Sequence, residues 1–221
     1  MPSPAAGFFG KVSSHGDFVA RRLPPAFQDP WDAWLQAGVQ ASRKALGPGW
    51  LATYLSSPIW RFALGPGVCG PGGWAGVLMP SVDRVGRHFP LTLAAVGAAP
   101  LDQLTQYGAW YARLEDLALS TLTEGFSLDS FDAELAALAP PQPAAAPVHR
   151  PAVLALDPVQ PLGDQLAAPT ARLLAGIAAA ALDGQSLWWT DGSARVAACL
   201  MVSRGLPSPE AFAGMLDRES T

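Results

Sequence analysis

WAGVLMPSVDRVGRHFPLTLAAV, residues 74 to 96, sets a sharply polar stretch between two apolar runs. Trp74 to Met79 and Leu91 to Val96 are short, aliphatic and closed on their inner sides by Pro80 and Pro90, which is how buried strands read. Between them stand Asp83, Arg84, Arg87 and His88, where a plain hairpin needs only about two turn residues. The two strands are therefore expected at the centre of a sheet, and the surplus polar residues predict a binding loop at its end.

The rest of the chain limits what such a loop could bind. Of 221 residues, 50% are hydrophobic, enough for a substantial core. The net charge of -4 leaves no basic excess to neutralise phosphates, so nucleic acid and anionic membranes are not expected partners. The N-terminal residues lack a basic region followed by an apolar run, and no stretch approaches the roughly 20 apolar residues that span a bilayer. A cytoplasmic location is expected. Cys69 and Cys199 lie far apart without a CxxC spacing and read as reduced, structural thiols.

Working outward from residues 74 to 96, strands are expected at Gly7–Val12, Ile59–Leu64, Ala152–Leu156, Ser186–Trp189 and Arg195–Val202, the last two joined by a tight Asp191-Gly192 turn. A first helix is read from Asp29 as N-cap and Pro30 as first helical residue to the stop at Gly47-Pro48, after a break at Pro24-Pro25. Its apolar face is Trp31, Trp34, Leu35, Val39, Ser42 and Leu46. Further helices are expected at Trp50–Leu55, from Pro100 and Asp102 to Thr123, at Ser130–Leu138, within Leu162–Leu182, and at Ser208–Leu216. Pro140–Pro151 reads as an extended linker, after which the chain is expected to return to the same core. The fold class is α/β, more closely α+β: a mixed, mainly antiparallel sheet of about seven strands covered by helices, in a single domain over 1–221.

Catalytic chemistry is hard to assemble from these residues. Ser13, Ser14, His15 and Asp17 offer the atoms of a nucleophilic site, but neighbours along one turn cannot line up as nucleophile, base and orienter, and no GxSxG elbow occurs. The glycine-rich stretch Gly65–Gly73 lacks both a GK[ST] ending and a GxGxxG spacing. His15, Asp17, Asp83 and His88 could approach a metal only if loops 13–17 and 81–88 met in space. Trp60, Trp74, Trp110 and Trp188 are read as core, while strand alternation sends Trp189 to the opposite face from Trp188.

Five ordered motifs carry a family resemblance: GFFGKVSSHGDFV (7–19), DPWDAWLQ (29–36), SPIWRFAL (57–64), WAGVLMPSVDRVGRHFPLT (74–92) and SLWWTDGS (186–193). They closely resemble the TagF (ImpM-like) proteins of bacterial type VI secretion. The resemblance implies a non-enzymatic cytoplasmic regulator without a cofactor, which restrains secretion after translation by binding a forkhead-associated-domain scaffold. Motif positions carried over are Lys11, Gly16 and Asp17, then Ser81, Asp83, Arg84, Gly86 and Arg87, then Trp188 and Trp189, and the partner-binding surface is expected from Lys11, His15, Asp17, Asp83, Arg84, Arg87 and Trp189. The rival expectation is a small-molecule or phosphate-binding enzyme built on loops 13–17 and 81–88.

Overall fold

Apolar runs buried on both faces organise the chain into one seven-stranded sheet, seen in a computed structural model that describes residues 5–97, 107–140 and 184–217. The strands are β1 (Gly7–Gly10), β2 (Val19–Arg21), β3 (Trp60–Leu64), β4 (Trp74–Met79), β5 (Leu91–Val96), β6 (Gln185–Thr190) and β7 (Cys199–Arg204). The helices are α1 (Pro25–Leu46), α2 (Trp50–Leu55), α3 (Gly108–Ser120), α4 (Leu128–Ala137) and α5 (Pro209–Leu216), with a 3-10 turn at Gly47–Gly49. Strand order is β2-β1-β5-β4-β3-β6-β7, and every pair is antiparallel. As expected from the sequence, β4 and β5 lie at the centre. Both faces are covered, which is why β4 is buried at every position instead of alternating.

On one face, α1 and α5 pack over an aromatic core. Trp31 of α1 stacks on Trp188 of β6 (5.8 Å) and leans on Phe62 of β3 (4.7 Å), while its indole N–H donates to Thr92 Oγ1 (2.8 Å). Gly38 lets α5 approach, since a Cβ there would stand 2.6 Å from Phe212 Cγ. On the other face, Trp110, Tyr111 and Leu114 of α3 and Phe131 and Leu135 of α4 cover Val77, Leu91 and Leu93. Trp60, Trp74, Trp110 and Trp188 are all core, as read from sequence.

Several boundaries differ from expectation for identifiable reasons. Helix α1 starts at Pro25, not at Pro30 behind an Asp29 cap: Pro25 at the first helical position forfeits no intrahelical bond, whereas Pro30, now inside the helix, forfeits one. Packing compensates: Phe27, in that extra turn, is buried between Trp31 (5.1 Å) and Trp74 (4.5 Å). Strand β2 was not foreseen; only Val19 of its three residues is buried, and the pattern is too short to show a period. Helix α3 begins at Gly108 behind a non-helical Tyr107, so the helix expected to run unbroken from 102 does not, and residues 98–106 lie outside the described residues. Helix α4 begins at Leu128, with Ser127 accepting the Ser130 amide (3.3 Å). The linker at 141–151, the strand at 152–156 and the helix within 162–182 also fall outside the described residues.

The Asp191-Gly192 pair does not make a two-residue hairpin. Thr190 pairs with Cys199, and the loop between them folds inward so that Val196 is buried and its carbonyl accepts the Ser193 amide (2.7 Å). Gly192, at φ 96°, permits that path, since a Cβ would stand 2.6 Å from the Val196 oxygen. The C-terminal helix is capped as expected: Ser208 Oγ accepts the Ala211 amide (3.2 Å) and Pro209 opens the first turn. Ser208→Ala is expected to cost about 1 kcal/mol of stability, measured by urea denaturation.

Candidate functional site

The segment between β4 and β5 continues their ladder and then closes tightly. Val82 and His88 form a bridge, the Phe89 amide donates to the Ser81 carbonyl (3.1 Å), and the Asp83 amide donates to the Arg87 carbonyl (3.0 Å). Gly86 returns its amide to the Asp83 carbonyl (3.0 Å) at φ 84°, a conformation that favours glycine. The tip therefore consists of Arg84, Val85 and Gly86, all exposed, with Val85 at 64% of its full accessibility.

Asp83 holds this tip from beneath. One carboxylate oxygen accepts the amides of Val85 (3.0 Å) and Arg87 (2.8 Å); the other accepts Arg87 Nε (2.7 Å) and the Lys11 ammonium. Burial alone would raise its pKa, but the Lys11 ammonium, the Arg87 amide and guanidinium, and the Val85 amide outweigh it and hold the carboxyl well below the usual carboxylate range. Lys11 and Asp83 are both buried, so their part is to lock the loop from within.

A second loop, residues 11 to 18 at the end of β1, is stitched to the first. Ser81 Oγ donates to the Lys11 carbonyl (2.7 Å), the Arg84 amide to the His15 carbonyl (2.9 Å), and the Arg87 guanidinium to the Gly16 carbonyl. Tyr54 of α2 fastens the base: its hydroxyl donates to the Ser81 carbonyl (3.1 Å) and accepts the Ser81 amide (2.9 Å). Phe18, 49% exposed, rests edge-on against Phe89 (4.8 Å) with the Lys11 ammonium 4.9 Å from its ring centre. Sequence reading singled out Ser81 only as a motif position and missed Tyr54 as its anchor, because nothing local in a helix end signals a partner 27 residues away.

The two polar loops thus meet, bringing together Lys11, His15, Asp17, Asp83, Arg84 and Arg87. Trp189 does not join them. It lies on β6, beyond β3, half-buried edge-on against Tyr111 of α3 (4.8 Å), on the opposite face from Trp188 as strand alternation predicts. Asp17 is fully exposed, with Arg87 Nη2 3.7 Å away. Arg84 forms no side-chain ion pair or hydrogen bond among the described residues.

The contacts within the two loops do not assemble a charge relay. Ser14 Oγ and His15 Nδ1 touch (2.8 Å) on an exposed turn, while the buried carboxylate, Asp83, is committed to Lys11 and Arg87. Among the described residues no three His, Cys, Asp or Glu side chains are placed to hold a metal ion. Cys69 and Cys199 are free thiols, and burial pushes the Cys69 thiol up to about 12, away from thiolate chemistry.

Comparison with known proteins adds a second line of evidence. Residues 7–138 match the TagF N-terminal domain, described as type VI secretion system-associated. The chain belongs to the TagF family. The match takes in β1 to α4 and hence both loops of the site. A crystal structure of PA0076 from Pseudomonas aeruginosa PAO1, at 2.05 Å resolution, is 41% identical, covers 97% of this chain and 94% of that chain, and superposes with a TM-score of 0.82. Among curated proteins no sequence match is found. No helix among the described residues is long and apolar enough to cross a membrane.

Proposed function

We propose that this TagF chain is a cytoplasmic, non-enzymatic repressor of type VI secretion that acts after translation by binding a forkhead-associated-domain scaffold component of the system. One observation carries the reading: a loop tip locked from beneath by a buried carboxylate, with the Arg84 and Val85 side chains projecting from it unpaired among the described residues. A site that binds another protein gains from such rigidity, because little conformational entropy is lost on docking. A guanidinium beside an exposed aliphatic side chain is a composition suited to an interface. Family membership supplies the type VI context, and β6, β7 and α5, which join the sheet and the α1 core, support reading 1–221 as a single domain.

Co-purification from a type VI-competent bacterium tests the proposal. The wild-type chain is expected to retain the scaffold, and an Arg84→Glu/Val85→Asp variant to lose it at unchanged melting temperature, since neither side chain supports the fold. Equal capture by the folded variant would remove the loop as interface. Absence of the scaffold from the wild-type eluate would remove the partner assignment itself.

A further inference from the structure

Behind the signature loop, on the side facing α1, lies an open groove of about 300 Å³ lined by Gln36, Val39, Gln40, Arg43, His88 and Phe89. Trp50, buried at the start of α2, organises its cationic end. The Arg43 guanidinium lies 4.2 Å from the Trp50 ring centre, and His88 meets the same ring edge-on (6.2 Å) while also leaning on Tyr54 (5.9 Å). Trp50 is fixed in turn, its N–H donating to Ser42 Oγ (2.9 Å) and Ser42 to the Val39 carbonyl (2.9 Å). Cation–π contact holds the guanidinium by its face and leaves its N–H edge free. Neither Arg43 nor His88 forms an ion pair among the described residues. The carboxylate bonded to a lining residue is Asp32, one turn back on α1, where Gln36 Nε2 donates to Oδ2 (2.7 Å) and the buried Oδ1 has no hydrogen-bond partner among the described residues.

We infer that this groove takes an extended acidic peptide segment of the captured partner, with a carboxylate on Arg43 and His88 and an aliphatic side chain over Val39 and Phe89. Three features choose that occupant. Among the described residues the lining carries basic and amide donors but no carboxylate of its own, in a protein of net charge -4, so the local charge opposes the overall one. Gln36, Gln40 and Arg43 recur along one face of α1, a row that suits a chain lying along the helix and not a single compact anion. The apolar floor continues from Phe89 to the half-exposed ring of Phe18, which extends the surface toward the signature loop. The identity of the segment as the partner's rests on the capture reading above.

The test uses the full chain and a fluorescein-labelled (Glu-Leu)4 peptide, read by fluorescence anisotropy, with (Lys-Leu)4 and free glutamate as comparisons. Saturable, salt-sensitive binding of the acidic peptide alone is expected, weakened about tenfold or more by Arg43→Glu and by His88→Ala, each assayed below its own melting transition because both side chains also pack against Trp50. Equal binding of both peptides, indifference to the two substitutions, or displacement by free glutamate at equal concentration would overturn it. The same variants in the co-purification separate the two readings. If they lose the peptide yet retain the scaffold, the partner's segment does not use the groove and this inference fails while capture stands. If wild type binds the peptide but captures no scaffold, the acidic-peptide groove stands and the capture reading fails.

Discussion

Replacing Gly76 by alanine is expected to destabilise the protein by more than about 4 kcal/mol, at the extreme of what single substitutions do. Gly76 sits mid-way along the central strand, paired with Phe62 on one side and Ala94 on the other. A Cβ there would stand 2.1 Å from the Leu93 carbonyl oxygen, 2.8 Å from Phe62 Cζ and 2.9 Å from Ala94 Cα. Ordinary overpacking costs about 1–3 kcal/mol because side chains shift to relieve it. Here two of the three contacts are backbone of a hydrogen-bonded neighbour, so relief requires parting β4 from β5.

The row across the sheet explains why the chain places glycine there. Trp188, Phe62, Gly76, Ala94 and Gly7 are consecutive register partners, two large aromatic side chains followed by three small or absent ones, and the Phe62 ring lies over the space above Gly76. Trp31 of α1 then rests on Phe62 and Trp188. Urea denaturation checks the value for Gly76→Ala, and Gly76→Val is expected to yield no soluble folded protein. Gly49→Ala supplies the control: no atom of the described residues lies within 4 Å of its Cβ position and its dihedrals are helical, so a change within about 1 kcal/mol, on the stabilising side, is expected. A Gly76→Ala protein as stable as wild type would mean that β4 and β5 part without cost.

That row also marks where the sequence stops being legible. Strand identity at Trp74–Met79 and Leu91–Val96 is local, written in apolar runs closed by proline, and it came through; so did the α1 face, which needs only a helical period. Which strand lies beside which is non-local, and Gly76 carries no sign of the ring it accommodates. Strand β2 fails for the opposite reason: it is too short for any period, and β1 pairs it into place. In the site, the polar excess at 80–89 marks a loop that closes tightly and meets the loop at 11–18. Its division of labour did not show, because Asp83 and Arg84 are neighbours in sequence with opposite fates. The meeting with Lys11, 72 residues earlier, is the non-local contact that holds Asp83 inward. Trp189 was grouped with that surface by motif alone, and three-dimensional placement sets it apart against Tyr111.

Removing the Lys11 ammonium is expected to have the largest effect on the loop itself. Lys11→Met keeps the buried aliphatic stem but strands the Asp83 carboxylate with Arg87 and two amides, and breaking a buried ion pair from one side is strongly destabilising. The melting temperature at pH 7 is expected to fall by roughly 10 °C. The pH dependence separates this cause from lost packing. In the wild type, Asp83 titrates below its unfolded value of about 4, so its contribution is fully present above that value and is lost as pH falls through the depressed folded one. In the variant, burial is no longer outweighed by the ammonium, the carboxyl rises, and protonation relieves the stranded charge. The gap between the two proteins should therefore be widest near neutrality and narrow as pH is lowered through about 4 and beyond. A Lys11→Met/Asp83→Asn double variant should recover part of the loss, because both charges leave together. A gap that stays constant from pH 7 to pH 3 would assign the loss to packing of the lysine stem, and the carboxylate lock would have to be abandoned as the reason the tip is rigid.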